Sequence, residues 1–187
     1  MAVKSTFSFM YDSQDYQIIS INSPQGDGMN FLTKTDENTI KLKCLDQDQD
    51  GILELIQYGN LDINEANMIY NYGLQKALES GKYRNKDGLR KFEHIQNDTL
   101  FVVETMGSYI DQVYNIFTIT DLNSNNRTAF IDQDSDGALD IREKGIMELK
   151  MAQSLYDNIL QTGIQEAEIF FKREKYIVKF NTIDRSS

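Results

Sequence analysis

Apolar and polar side chains alternate over five positions in Ile40-Lys41-Leu42-Lys43-Cys44, a period of two that predicts a strand rather than a helix. Earlier, Phe7 and Phe9 lead to the polar turn Asp12-Ser13-Gln14, from which Tyr16, Ile18 and Ile19 return, so Thr6 to Ile21 is expected to be a hairpin. Ser23 to Gly28, with the chain's only proline, is expected to be a loop. Phe31 and Leu32 open a further short strand that turns near Asp36-Glu37-Asn38, and Leu53 to Tyr58 has the β-branched and aromatic content of another. The period then changes. Ile63, Ala66, Tyr70, Leu74 and Ala77 form a helical stripe, preceded by Asp62-Ile63-Asn64-Glu65, a capping-box pattern, and closed near Ser80-Gly81. Core packing is the ordinary reading of that stripe. Lys82 to Lys91 reads as a basic, turn-rich linker.

The second half repeats this order about 86 residues later. Phe92 to Met106 matches the opening hairpin, Phe117 falls near the place of Phe31, and Gly145 answers Gly59. The stripe Leu149, Ala152, Tyr156, Leu160 and Gly163 sits at the first stripe's positions plus 86. Ile169 to Val178 then reads as the opening hairpin a third time. The expected architecture is α+β: two tandem repeats, 1–84 and 85–187, each of antiparallel strands with a loop followed by one α-helix, plus a C-terminal β-hairpin.

Candidate chemistry lies in the loops that follow the alternating strands. Asp46-Gln47-Asp48-Gln49-Asp50-Gly51-Ile52-Leu53-Glu54 returns as Asp132-Gln133-Asp134-Ser135-Asp136-Gly137-Ala138-Leu139-Asp140. Each copy carries acids at loop positions 1, 3, 5 and 9, Gly at 6 and Leu at 8. Carboxylates so close repel one another unless a cation lies between them, and a hard divalent ion such as Ca2+ takes six to eight oxygens from turns of this kind. A single Asp-rich run is an ordinary solvated turn, but two copies sharing the acid at 9 and the Leu at 8 point to a site. The expected ligands are Asp46, Asp48, Asp50 and Glu54, then Asp132, Asp134, Asp136 and Asp140, with the backbone carbonyls of Ile52 and Ala138 at position 7. Position 12 is Gln57 in the first copy and Glu143 in the second. A carboxylate outranks an amide as a ligand, so the second loop is expected to bind more tightly.

The formal net charge of −10 argues against a nucleic-acid partner, and much of it sits in these loops; two Ca2+ would bring it to about −6. One cysteine excludes an internal disulfide, and Cys44, whose counterpart is Phe130, is expected to be a small buried apolar residue. No apolar run has transmembrane length, so membrane insertion is not expected; if the protein is secreted, its signal has been trimmed from this chain. Asn97-Asp98-Thr99 and Asn126-Arg127-Thr128 are sequons, a short pattern of little weight.

The loops resemble two known calcium modules. EF-hands share the D-x-D-x-D-G core, and Asp132 to Glu143 fits their twelve-residue pattern, but an EF-hand implies a helix entering the loop. FG-GAP and VCBS repeats, as in integrin-type propellers, carry a similar D-x-[DN]-x-D-G-x-x-[DE] loop between two strands; Asp46, Asp48, Asp50 and Glu54 match it, as do Asp132, Asp134, Asp136 and Asp140. The strand-like flanks favour this second resemblance, which covers about ten residues per copy and implies a strand–loop–strand calcium site without the propeller. The expected function is a non-enzymatic, calcium-stabilised structural or adhesive module of an extracellular or cell-surface protein, with a protein or a surface glycan as partner. The alternative is an EF-hand-like sensor that binds a partner protein. An enzyme is not expected: His94 is the only histidine, and no nucleophile–base set assembles around it.

Overall fold

The computed structural model describes residues 1–24 and 28–180. Gln25, Gly26 and Asp27, the middle of the expected proline-bearing loop, lie outside the described residues. The chain divides into two compact units, residues 1–85 with 108–111 and residues 86–107 with 112–187. The sequence boundary at 84/85 assigns Ser108–Asp111 to the second half; its contacts assign it to the first unit.

In the first unit, β1 (Val3–Tyr11), β2 (Gln14–Asn22), β3 (Gly28–Asp36), β4 (Thr39–Asp46) and β5 (Leu55–Tyr58) pair in sequence order as one antiparallel five-stranded sheet. Two-residue turns make the register: Asp12-Ser13 and Glu37-Asn38 all adopt positive φ, the backbone hand that matches strand twist in a tight hairpin. Alternation then selects one face. Tyr16 and Ile18 of β2, Leu32 of β3 and Leu42 and Cys44 of β4 are buried, and α1 (Ile63–Glu79) lies against them through Ala66, Ile69, Tyr70 and Leu74. The Asp62 carboxylate accepts hydrogen bonds from the N–H groups of Asn64 and Glu65, which sets where α1 begins. Gly73 faces the sheet, where a Cβ would stand 2.5 Å from the Phe9 ring.

The second unit repeats the plan. β6 (Lys91–Gln96), β7 (Thr99–Met106), β8 (Tyr114–Asp121), β9 (Arg127–Asp132) and β10 (Ile141–Lys144) form the second five-stranded sheet, again in sequence order. α2 (Leu149–Gln165) covers it through Ala152, Tyr156, Ile159 and Leu160, over Phe101, Val103, Phe117 and Phe130. β11 (Ile169–Lys172) and β12 (Lys175–Val178) form a separate hairpin that adds Ile169 and Val178 to this core. A 3-10 turn, Ile110–Gln112, precedes β8.

The expected α+β class of strand–loop–helix repeats is corrected here. The described residues form twelve strands in three sheets and only two α-helices, so the fold is largely β. The physical reason is pairing: antiparallel partners recruit polar residues such as Lys4, Ser5, Gln14 and Asp15 into full-length strands, although their side chains carry no apolar pattern. Phe31 and Leu32, expected to mark a short strand, belong to a nine-residue one. The stretch expected to be a linker also differs, since Lys86 and Arg90 are buried against the Phe180 ring, 5.2 and 4.3 Å from its centre. No helix of the described residues is long and apolar enough to cross a membrane.

Candidate metal centres

Each acidic loop joins two neighbouring strands of its sheet, β4 to β5 in the first unit and β9 to β10 in the second. The same turn chemistry shapes both. Asp46 accepts hydrogen bonds from the N–H groups of Asp50 and Gly51 at 3.2 and 3.0 Å, and Asp132 accepts from those of Asp136 and Gly137 at 3.1 and 3.0 Å. The acid at position 5 accepts from the N–H of position 7, Ile52 onto Asp50 at 2.8 Å and Ala138 onto Asp136 at 2.7 Å. The acid at position 9 closes the loop by accepting from position 2, Gln47 onto Glu54 at 2.8 Å and Gln133 onto Asp140 at 2.7 Å. Gly51 and Gly137 have φ of +90° and +95°, a region that favours glycine. Space excludes a side chain there as well: a Cβ would lie 2.6 Å from Tyr109 Cβ in the first unit and 2.7 Å from the Tyr176 ring in the second.

This folding brings acidic oxygens together. Asp46, Asp48, Asp50 and Glu54 offer carboxylate oxygens within 4.8 Å of one another, as do Asp132, Asp134 and Asp136, so both groups could hold a metal ion. Asp46, Asp50 and Asp132 are buried. Burial is the first cause that pushes the Asp132 carboxyl up to about 6, with the charges of Asp136 and Asp134 adding to it, against hydrogen bonds from Gly137 N–H and Tyr156 that favour the ionised form. Asp140 stays outside the second group although its counterpart Glu54 belongs to the first; the extra methylene of Glu gives it more reach. Glu143 and Gln57, the position-12 candidates, sit exposed on β10 and β5, and Glu143 is not part of the second acidic group. A strand, β5 or β10, follows each loop, whereas an EF-hand loop is followed by a helix.

The residues that hold these carboxylates in place come from the helix and the middle strand. Tyr70 donates its hydroxyl to Asp46 at 2.6 Å, and Tyr156 donates to Asp132 at 2.9 Å. Each hydroxyl in turn accepts from an asparagine amide, Asn30 at 2.6 Å and Asn115 at 3.1 Å. Burial, together with these aspartates, raises both phenols well above the usual range, so they stay protonated donors. A second peg from the same helix grips the loop backbone. Asn67 exchanges hydrogen bonds with the N–H and carbonyl of Leu53, while Gln153 accepts from Leu139 N–H and donates to the Gly137 carbonyl. Tyr70 and Tyr156 are legible in the sequence only as members of core stripes. Asn30, Asn115, Asn67 and Gln153 carry no signal except their near-equal spacing between the repeats.

Outside the loops, His94 lies on β6 with its Nδ1 4.0 Å from a Glu166 carboxylate oxygen, partly exposed. Comparison with family models, with curated proteins and with solved structures found no match to this chain.

Proposed function

We propose that the two loops bind Ca2+ and that the ions act as structural staples in a non-enzymatic module of an extracellular or cell-surface protein. The observation that carries this reading is the repetition of the whole assembly. The loop, the tyrosine that donates to its first aspartate and the asparagine behind that tyrosine recur in both units, and in each a helix amide accepts from the N–H of loop position 8, although the two amides donate to different carbonyls. Ordinary acidic turns have no need of a buried phenol aimed at one carboxylate. The donor chemistry fits a hard cation, because every acidic ligand is an oxygen and neither group includes cysteine or histidine. The buried Ser135 hydroxyl inside the second loop has no hydrogen-bond partner among the described residues, and a water on a bound ion is a partner that fits. Asp46, Asp48, Asp50 and Glu54 would hold one ion and Asp132, Asp134 and Asp136 the other, with Ile52 and Ala138 supplying backbone oxygens. Strands on both sides of each loop favour a staple over an EF-hand-like sensor, whose opening moves paired helices.

The test is a thermal melt in chelator, in millimolar Ca2+ and in millimolar Mg2+. A large rise in Tm with Ca2+ and little with Mg2+ is expected, because Mg2+ keeps its waters and a near-octahedral shell that such loops do not supply. Equal melting in all three would remove the metal reading.

A further inference from the structure

The second unit carries a groove remote in kind from the acidic loops. It has a volume of about 580 Å3, within the range of small-ligand sites, and lies where the β6–β7 turn, the β8–β9 turn and α2 meet. Four primary amides, Gln96, Asn97, Asn126 and Asn158, line it together with the hydroxyl side chains Thr99 and Thr128. All four are exposed, and their side chains make no hydrogen bond among the described residues. Phe101, Ile119, Met147 and Leu155 supply an apolar floor.

We infer that this groove binds a neutral, hydroxyl-rich ligand, a hexose unit of a glycan. A primary amide presents a donor and an acceptor side by side, which matches a sugar hydroxyl that both gives and takes a hydrogen bond. The apolar floor suits the C–H face of a pyranose ring. Charge on the walls points the same way. No lysine, arginine or histidine lines the groove, and its one acid, Asp121, is engaged by the N–H groups of Asn123 and Ser124 at 2.8 and 3.1 Å. An anionic ligand would meet a carboxylate and no counter-charge, and a cation would meet a single carboxylate where the acidic loops group three or four.

The fold does not force this neutrality. The corresponding place in the first unit is a smaller cavity of about 310 Å3, between the β1–β2 turn and α1, and it is lined by Asp12, Lys34, Lys41 and Glu65. The same location therefore carries two positive and two negative side chains in one unit, and four amides with a single acid in the other. The inference goes beyond the metal reading and does not rest on it.

The test uses the full chain expressed without N-glycosylation, since Asn97 and Asn126 each head a sequon, and kept in millimolar Ca2+. Amide NMR spectra are recorded against lactose, maltose and cellobiose as neutral probes, with digalacturonate as the charged one. The expected result is a saturable shift of the side-chain amides of Asn97, Asn126 and Asn158 with at least one neutral disaccharide and none with digalacturonate. Asn158→Ala, an exposed helical substitution that leaves the core untouched, should weaken that binding about tenfold. Free sugar and a glycoprotein bearing the same terminal residue then separate a soluble saccharide from a surface glycan as the source. Silence of these amides with every neutral probe, a stronger response to digalacturonate, or unchanged binding in Asn158→Ala would overturn the inference.

Discussion

Replacing Tyr156 by phenylalanine removes a single oxygen from the support of the second loop. The ring stays packed, 4.9 Å from the centre of Phe117, and the core volume is almost unchanged. Two hydrogen bonds disappear, the one to Asp132 at 2.9 Å and the one from Asn115 at 3.1 Å, although Asn115 keeps its bond to the Tyr176 carbonyl at 2.9 Å. A hydrogen bond to a charged, buried carboxylate is worth about 1.5–3 kcal/mol, so the metal-free second unit should melt on the order of 5–15 °C lower. Metal affinity falls as well, because the phenol fixes which way the Asp132 carboxylate faces. Groups that orient a ligand in this manner contribute about 10–100-fold. Calorimetric Ca2+ titration should therefore resolve two sites in the parent protein and a shift of only one of them in Tyr156→Phe. Tyr70→Phe should shift the other. Tyr176→Phe is the control: its ring covers Gly137, but its hydroxyl makes no hydrogen bond among the described residues, so affinity should hold. If Tyr156→Phe left both affinities in place while Asp132→Asn abolished one, the tyrosine relay would be packing and no more.

Further outcomes follow from the same geometry. The first loop, with four grouped carboxylates of which two are buried, should bind Ca2+ more tightly than the second with its three, the reverse of the order the position-12 residues imply; Asp50→Asn and Asp136→Asn, titrated separately, decide it. Cys44 is fully buried, and burial pushes its thiol up to about 11, so at pH 8 it holds its proton and should resist a disulfide reagent in Ca2+ but react as chelator loosens the first unit. Because the folded thiol keeps its proton where an unfolded one with the ordinary value of 9.0 has lost it, its contribution to stability is intact below about pH 9 and falls as pH rises toward 11. Glu148 begins α2 without a side-chain capping bond, whereas Asp62 caps α1, so Glu148→Asp should raise the second unit's stability by about 0.5–1 kcal/mol in urea melts. Gly73→Ala should lower stability by about 1–3 kcal/mol in the same assay despite alanine's better helix propensity, since its Cβ would stand 2.5 Å from the Phe9 ring.

What the sequence discloses depends on how local the determinant is. The acidic loops are readable because their ligands lie at alternate positions of one short stretch, and α1 is readable because its cap and stripe lie within one helix. Position 12 is less readable, because it lies past the end of the local stretch: Glu143 is not part of the second acidic group. The twelve-residue count belongs to a loop followed by a helix, whereas here a strand follows each loop. The tyrosines that steady the acidic loops stand 24 residues from the aspartates they touch, and Asn30 lies 40 residues from Tyr70; no period or spacing within an element connects such pairs. Sheet content was undercounted because strands such as Val3–Tyr11 are completed by their partners, not by their own hydrophobicity. The basic stretch before β6 reads as solvated, yet its Lys86 and Arg90 bury their cations against an aromatic ring about 90 residues away in sequence.

The order of strands in the two sheets has a mechanical consequence. In a meander whose neighbours are joined by tight turns, tension entering at the first strand peels one row of hydrogen bonds at a time, a geometry that yields at low force. β1 leads the first sheet and β6 the second, while each acidic loop lies at the opposite side, between the last two strands. Peeling from the first strand therefore reaches the acidic loop only after three strands have gone, where the loop is also pegged to its helix. With the proposed Ca2+ bound, each unit would extend in two steps, a soft one that ignores the metal and a stiff one whose rupture force is set by it.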